Sequence, residues 1–486
     1  MFPLNAVLKL EEYRCGNPLY PARLSRRKVI MPVLDFMGHA SYAVSSGSAR
    51  LLIDPWFKGH VFDSGWNQIS QPAADPAFLE QVTCIWISHE HPDHFSPPSL
   101  LSLPDRTRRE ALVLFQETKD KRVVGYLQKN GFRTKELASG ETFTPAQDFS
   151  IRTFSRNDGD SWMLLDTQGV RIINLNDCVL DTPGRLKLVK RVVGKADVLL
   201  TQFGYANWKG NRDEPGVRVA AVAQKLKTIQ LQARALQAKA VIPFASFVYF
   251  CHEENRFMND SLPSLRDVIR AIDEVNAQPV LLYPGDSWSV GTPWNNDAAL
   301  NRYAVDYATI AQRELVKSRP ASLSEIKDCA SKLLEDVASH NSRSFLKLLY
   351  GFGALTPLRF WISDLATGCE LSLLDGLSVP SRLKREECDI ELESGAFAYA
   401  LKFPWGMGTL LVNARFQTIS PHAERRYSNV CEIRSLNMRG FSLPRDLPRV
   451  MAERLNDEGG PAEFLRRVKH RLASHGRRDT VRAQPK

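Results

Sequence analysis

No apolar run in this chain reaches the roughly 18 residues needed to cross a bilayer, which excludes a transmembrane helix on sequence grounds. The opening Met1-Phe2-Pro3-Leu4-Asn5 lacks a charged start followed by an apolar stretch, so export is not expected. Its eight cysteines stand singly without Cys-X-X-Cys spacing, and they read as reduced core residues of a cytoplasmic protein. No internal repeat is evident. The formal charge is +10, but residues 466–486 alone hold eight Lys or Arg against the single acid Asp479, so the body is nearly neutral. The last residues have little to bury and read as a flexible, solvated basic tail. A role on nucleic acid or an anionic membrane is the lesser expectation for that tail.

What the chain does have is a dense group of metal-binding side chains. His89, His91, Asp93 and His94 follow the apolar run Thr83-Cys84-Ile85-Trp86-Ile87-Ser88 without a break. Ile85 to Ile87 read as a buried strand, and Pro92 and Pro97-Pro98 stop it, which predicts a histidine loop at the strand's carboxyl end. Imidazole suits zinc, iron and manganese, and the carboxylate beside it can turn toward a second ion. Two further apolar strands end on acids: Leu51-Leu52-Ile53 on Asp54, and Ile172-Ile173-Asn174-Leu175-Asn176 on Asp177.

The His-X-His-X-Asp-His spacing, with Gly38-His39-Ala40-Ser41 and Asp54-Pro55-Trp56 before it, resembles the metallo-β-lactamase superfamily, including its lactonase-like branch. The resemblance implies a four-layer αββα sandwich and two divalent metal ions, Zn or Fe with Mn as a further option. It makes His89, His91, Asp93 and His94 ligands and Asp177 the bridging carboxylate, and it puts Asp54 behind an imidazole that it orients. It also asks for a last ligand after a later strand, and His252, following Ala240 to Phe247, is the only histidine between His94 and His340. His39 reads as a structural turn residue more readily than as a functional one.

One family ligand is missing. No histidine occurs from Phe95 to Cys251, so the first ion lacks its third imidazole. Asp160, or alternatively Asp158, stands about where it should be, although an Asp-Gly turn explains the same residues. Oxygen in place of nitrogen lowers the preference for zinc and favours iron or manganese. A site with one ion or none is also compatible with these residues.

A narrower resemblance, on Leu199 to Ala206, the helix-like Val217 to Ala238, Val241 to Ser246 and Tyr283-Pro284-Gly285-Asp286, is to the catalytic part of the CMP-N-acetylneuraminate hydroxylases. Those enzymes also carry a Rieske module with paired Cys and His ligands. Residues 1–30 contain only Cys15 and no histidine, so oxygen chemistry would need an electron-transfer protein as partner. The leading expectation is therefore a metallo-hydrolase, with Asp93 and Asp177 in the catalytic machinery and a metal-activated water attacking an ester, lactone or phosphate-type bond of a small anionic substrate. A diiron, oxygen-dependent hydroxylase comes second and a non-catalytic binding protein third. Lys209, Arg212 and Arg256 are the expected substrate contacts, alongside loop aromatics such as Trp56, Trp66, Tyr205, Trp208 and Tyr249.

The predicted organisation is an α/β chain: an N-terminal extension over 1–30, the metal domain over 31–296, a smaller α+β domain over 297–440, and terminal helices with the basic tail over 441–486. Helices are predicted near 119–129, 185–193, 217–238, 262–275, 298–316, 323–349, 447–455 and 461–472. Strands are predicted near 357–362, 389–393 and 397–403.

Overall fold

A computed structural model describes residues 31–461. The expected extension over 1–30, the basic tail and all but the first residue of the helix predicted over 461–472 lie outside the described residues.

Two seven-stranded sheets form the first part of the chain. The order in the first is Ser287–Ser289, Val33–Gly38, Ser41–Ser46, Ala49–Ile53, Cys84–Trp86, Leu112–Gln116, Arg133–Leu137. The order in the second is Gln278–Pro279, Ala240–Phe244, Val198–Gln202, Val170–Asn174, Ser161–Thr167, Phe149–Ser155, Thr142–Ala146. Side-chain alternation along the first sheet explains the layering. Leu51, Ile53, Cys84, Trp86 and Leu114 enter the core shared with the second sheet, whereas Leu52, Ile85, Val113 and Phe115 pack on Leu100, Val123 and Leu127 of the outer helices. Each such buried side chain contributes about 1.5–3 kcal/mol. The second sheet is covered in turn by Pro183–Val193, Pro215–Leu236 and Leu265–Asp273, whose Val189, Leu236 and Ile272 join the central core. The result is the four-layer αββα sandwich.

A second core gathers residues from Ala321 to Val450. Its five-stranded sheet runs Gly376–Ser378, Thr367–Ser372, Leu358–Ile362, Ile390–Leu392, Gln417–Thr418. Two local predictions are corrected. Residues 397–402, whose Phe-Ala-Tyr-Ala alternation mimics a strand, lie in the helix Ser394–Lys402, which Phe403 caps and which buries nearly every face, much of it against Leu323–His340. The helix predicted over 323–349 is two helices, because Ser342 caps a fresh start by accepting a hydrogen bond from the Phe345 N–H. Arg415 joins the two parts. It is almost fully buried, pairs with Asp63 at 2.5 Å and Glu254 at 2.9 Å, and donates to Ser318 Oγ. Among the described residues, no helix is long and apolar enough to cross a membrane.

Candidate metal centre

Topology brings the acids and histidines to one rim. The strand ending at Ile53 runs parallel to the strand ending at Trp86, so Asp54 and the His89–His94 loop emerge side by side. Tyr42 is the register partner of Ile53, which puts the hairpin turn carrying His39 at that same rim. In the second sheet, Ser161–Thr167 runs antiparallel to Val170–Asn174. The start of the one, with Asp160, therefore meets the end of the other, just before Asp177.

Two groups of potential ligand atoms result. His39, Asp93 and His94 offer atoms within 4.8 Å of one another, as do His89, His91 and Asp177. Asp177 touches both groups, its Oδ1 lying 3.5 Å from His94 Nε2. Asp160 Oδ1 approaches His89 Nε2 at 3.7 Å. Asp158 instead turns to Arg156 at 3.4 Å and accepts the Asp160 backbone N–H, so Asp160 is the one of the pair at the cluster.

Buried Asp54 sets the imidazole orientations. It accepts from the Ser88 backbone N–H at 2.8 Å, the Ser88 hydroxyl at 2.7 Å and His94 Nδ1 at 2.9 Å. The Ser88 hydroxyl has spent its only hydrogen on Asp54, so it must accept from His89 Nδ1–H at 3.0 Å. Both rings thereby carry their proton on Nδ1 and present the Nε2 lone pair to the cluster. Gln116 Nε2 and Ser161 Oγ both donate to Ser88 O, and Gln116 also donates to Gly159 O, which ties the Asp160 turn to the histidine loop.

These atoms fit cations. His94 Nε2 and Asp177 Oδ1 face each other at 3.5 Å, and both are buried without a hydrogen-bond partner, an arrangement that acceptor atoms tolerate only around positive charge. Electrostatics says the same. Burial pushes His94 down, but Asp93, Asp177 and Asp54 outweigh it and hold the imidazole well above its usual range. Against the upward push of burial, His94 and its neighbours hold Asp177 at about 2, and His94 and His39 hold Asp93 well below the ordinary value. Burial, with His94 and His91 beside it, drives His89 far down. Burial, Asp158 and Asp177 drive Asp160 far up. The cluster retains protons where carboxylates crowd, and a bound cation supplies that charge instead.

Four expectations need correction. His252 is not in either group: its Nε2 meets Ser318 Oγ at 3.2 Å and its Nδ1 lies 3.8 Å from Glu254. The reason is the turn after Phe244. Ala245 takes a left-handed φ of 51° and donates to His39 O, after which Val248–Phe250 pairs with Trp66–Gln68 and carries His252 to the Arg415 junction. His39 holds the position expected for it, an assignment that the hairpin register could have shown. Lys209, Arg212 and Arg256 also miss the site. Buried Arg218, paired to Asp260 at 2.7 Å, donates to the carbonyls of Lys209, Asn211 and Arg212 and folds that loop onto 256–261. Arg212 then sits over the Phe257 ring, and Arg256 opens a 3-10 turn. Trp56 and Trp66, among the expected loop aromatics, are core residues.

His89, His91 and Asp160 open onto a cavity of about 920 Å³ whose far wall comes from the second core, through Tyr399, Trp405, Leu411 and Met438. None of Lys209, Arg212 and Arg256 lines it.

Comparison with known proteins agrees with this geometry. Residues 33–245 match a family described as the beta-lactamase superfamily domain. The chain is 25% identical over 252 residues to the cytidine monophosphate-N-acetylneuraminic acid hydroxylase of Danio rerio, covering 47% of this chain and 40% of that protein. It is 24% identical over 265 residues to the same-named protein of Cricetulus griseus, covering 51% and 45%. The chain thus spans less than half the length of these relatives. Similar solved structures include CmlA, a diiron beta-hydroxylase from Streptomyces venezuelae, at 16% identity and TM-score 0.37 over 53% of this chain and 54% of that one. Another is a possible metal-dependent hydrolase from Veillonella parvula, at 14% identity and TM-score 0.41 over 53% and 99%. With their paired sheets and histidine loop, residues 33–245 match the beta-lactamase superfamily domain.

Proposed function

We propose that the chain is a dinuclear iron enzyme performing an oxygen-dependent hydroxylation. In this reading His89, His91 and Asp160 would hold one ion and His39, Asp93 and His94 the other, with Asp177, which lies near both groups, available to each. The observation that carries this reading is Asp160, 3.7 Å from His89 Nε2 in the place of a third imidazole. Each ion then has two nitrogen and two carboxylate donors, a balance that suits iron better than zinc. The hydroxylase names of the curated relatives support the same reading.

Iron bound there supplies the redox chemistry by which dioxygen, two electrons and two protons convert a C–H bond to C–OH and water, with the electrons coming from a separate donor protein. The chain's own residues position the reaction. Asp54 and Ser88 fix the ring planes and tautomers of His94 and His89, Gln116 and Ser161 hold the Asp160 turn, and the cavity brings substrate to the His89, His91 and Asp160 side.

A second reading is hydrolysis by water activated between two zinc ions, favoured by the four imidazoles of the cluster. Anaerobic reconstitution with equal ferrous and zinc ions separates the two. The proposal expects two irons per chain and rapid oxidation of the reduced protein by dioxygen in stopped-flow absorbance. Selective zinc uptake with cleavage of a nitrophenyl ester or a lactone would overturn it.

A further inference from the structure

The walls of the 920 Å³ cavity say what kind of molecule reaches the cluster. Its size is near the upper end of the roughly 300–1,000 Å³ typical of small-molecule sites, so a whole substrate fits inside. Two cations line it, and both are already matched. Arg122 donates to Glu90 at 2.7 Å and to Asp120 at 3.3 Å, and Arg434 pairs with Asp336. The remaining wall carboxylates outside the cluster are matched too: Asp63 by Arg415, Asp158 by Arg156 and Glu432 by Arg454. Among the described residues, these walls offer an anionic substrate no unmatched cation.

Aromatic surface is what the walls do offer. On the sandwich side Phe95 and Tyr126 meet edge to face at 5.6 Å. On the opposite side Trp405, 44% exposed, donates its indole N–H to Tyr399 and stacks on Phe403 at 5.2 Å. This second wall lies beyond residues 33–245, the part that matches the superfamily.

We propose that the substrate is an uncharged, largely apolar molecule bearing an aromatic ring, held between Tyr126 and Trp405. A nucleotide sugar acid, with its phosphate and carboxylate, is the wrong chemistry for these walls. The inference rests on the reading that the His89 cluster is the reaction centre, and it assigns substrate selection to the helices Ser394–Lys402, Gly406–Asn413 and Ala423–Met438.

The test is ligand binding by the full chain, with and without reconstituted iron. N-phenyl-1-naphthylamine, a neutral aromatic fluorophore, is expected to bind saturably, with Trp405→Ala weakening it roughly tenfold, the scale of one aromatic contact. Cytidine 5′-monophosphate is expected neither to bind in calorimetry nor to displace the probe. Trp405→Phe, which keeps a ring, is expected to restore most of the probe affinity and so separates a contact from a folding defect. Saturable, salt-sensitive binding of the nucleotide, or probe binding indifferent to Trp405→Ala, would overturn the inference. Metal identity is read separately: iron uptake with nucleotide binding sinks only the substrate class, and zinc uptake with Trp405-dependent probe binding sinks only the hydroxylase reading.

Discussion

Asp54→Asn is the most informative single change, because it removes one charge from a fully buried hub and alters no volume. The carboxylate accepts from three strong donors, with Ser88 N–H on Oδ1 and the Ser88 hydroxyl and His94 Nδ1–H on Oδ2. An amide has only one oxygen. If its nitrogen takes the Oδ1 place it faces the Ser88 backbone N–H, which cannot turn away, and an unmet buried donor costs about 1–3 kcal/mol. If it takes the Oδ2 place, His94 must move its proton to Nε2, which removes the lone pair aimed at Asp93 and Asp177. Either outcome weakens the metal cluster, and metal affinity is expected to fall about 10–100-fold, the usual range for losing a group that orients a ligating histidine. Competition with a calibrated chelator measures the affinity, and urea denaturation of the metal-free protein measures the accompanying loss of about 1–3 kcal/mol. Unchanged chelator competition in a folded Asp54→Asn protein would refute the reasoning.

Three further outcomes follow from the same contacts. Asp160→His restores a third imidazole beside His89 and is expected to shift competitive uptake from iron toward zinc; unchanged selectivity, read by elemental analysis, would contradict the role given to Asp160. The raised pKa of His94 makes a stability term that is fully present below its unfolded value of 6.5 and lost as pH rises through the higher folded value. The melting temperature of metal-free protein should therefore decline above pH 6.5 while that of the metal-loaded protein holds, and parallel profiles in calorimetry would argue against it. Arg415→Met strands Asp63 and Glu254 in a buried junction and should cost about 3–5 kcal/mol in chemical denaturation; a loss under 1 kcal/mol would show the junction to be ornamental.

Much of the site was legible in sequence because it is local. The histidine loop occupies six consecutive residues, and Asp54 and Asp177 each end a recognisable apolar strand, so strand direction alone sends them to one rim. Asp160 stands beside His89 at 3.7 Å, and the only sequence signal pointing to it is an absence, the missing third histidine. What failed depended on contacts distant in sequence. His252 is the next histidine after a strand, but the left-handed turn at Ala245 redirects the chain, and nothing in Ala245-Ser246-Phe247 announces it. His39 reads as a turn residue because its place beside Asp93 and His94 comes from a hairpin register, Tyr42 opposite Ile53, that joins residues in different strands. The basic loop residues were misplaced because Arg218, read as part of a helix, is a buried clamp on the loop before it. The helix Ser394–Lys402 was read as a strand because alternating Ala and aromatics satisfy both periods when every face is buried.

In the proposed site, seven side chains from both sheets would hold two ions, with His39 and not His252 closing the set. Elemental analysis of the reconstituted full chain beside His39→Ala and His252→Ala tests it directly. The account predicts two ions per chain in the wild type and in His252→Ala, with fewer in His39→Ala. Loss of metal from His252→Ala with full retention in His39→Ala would contradict it.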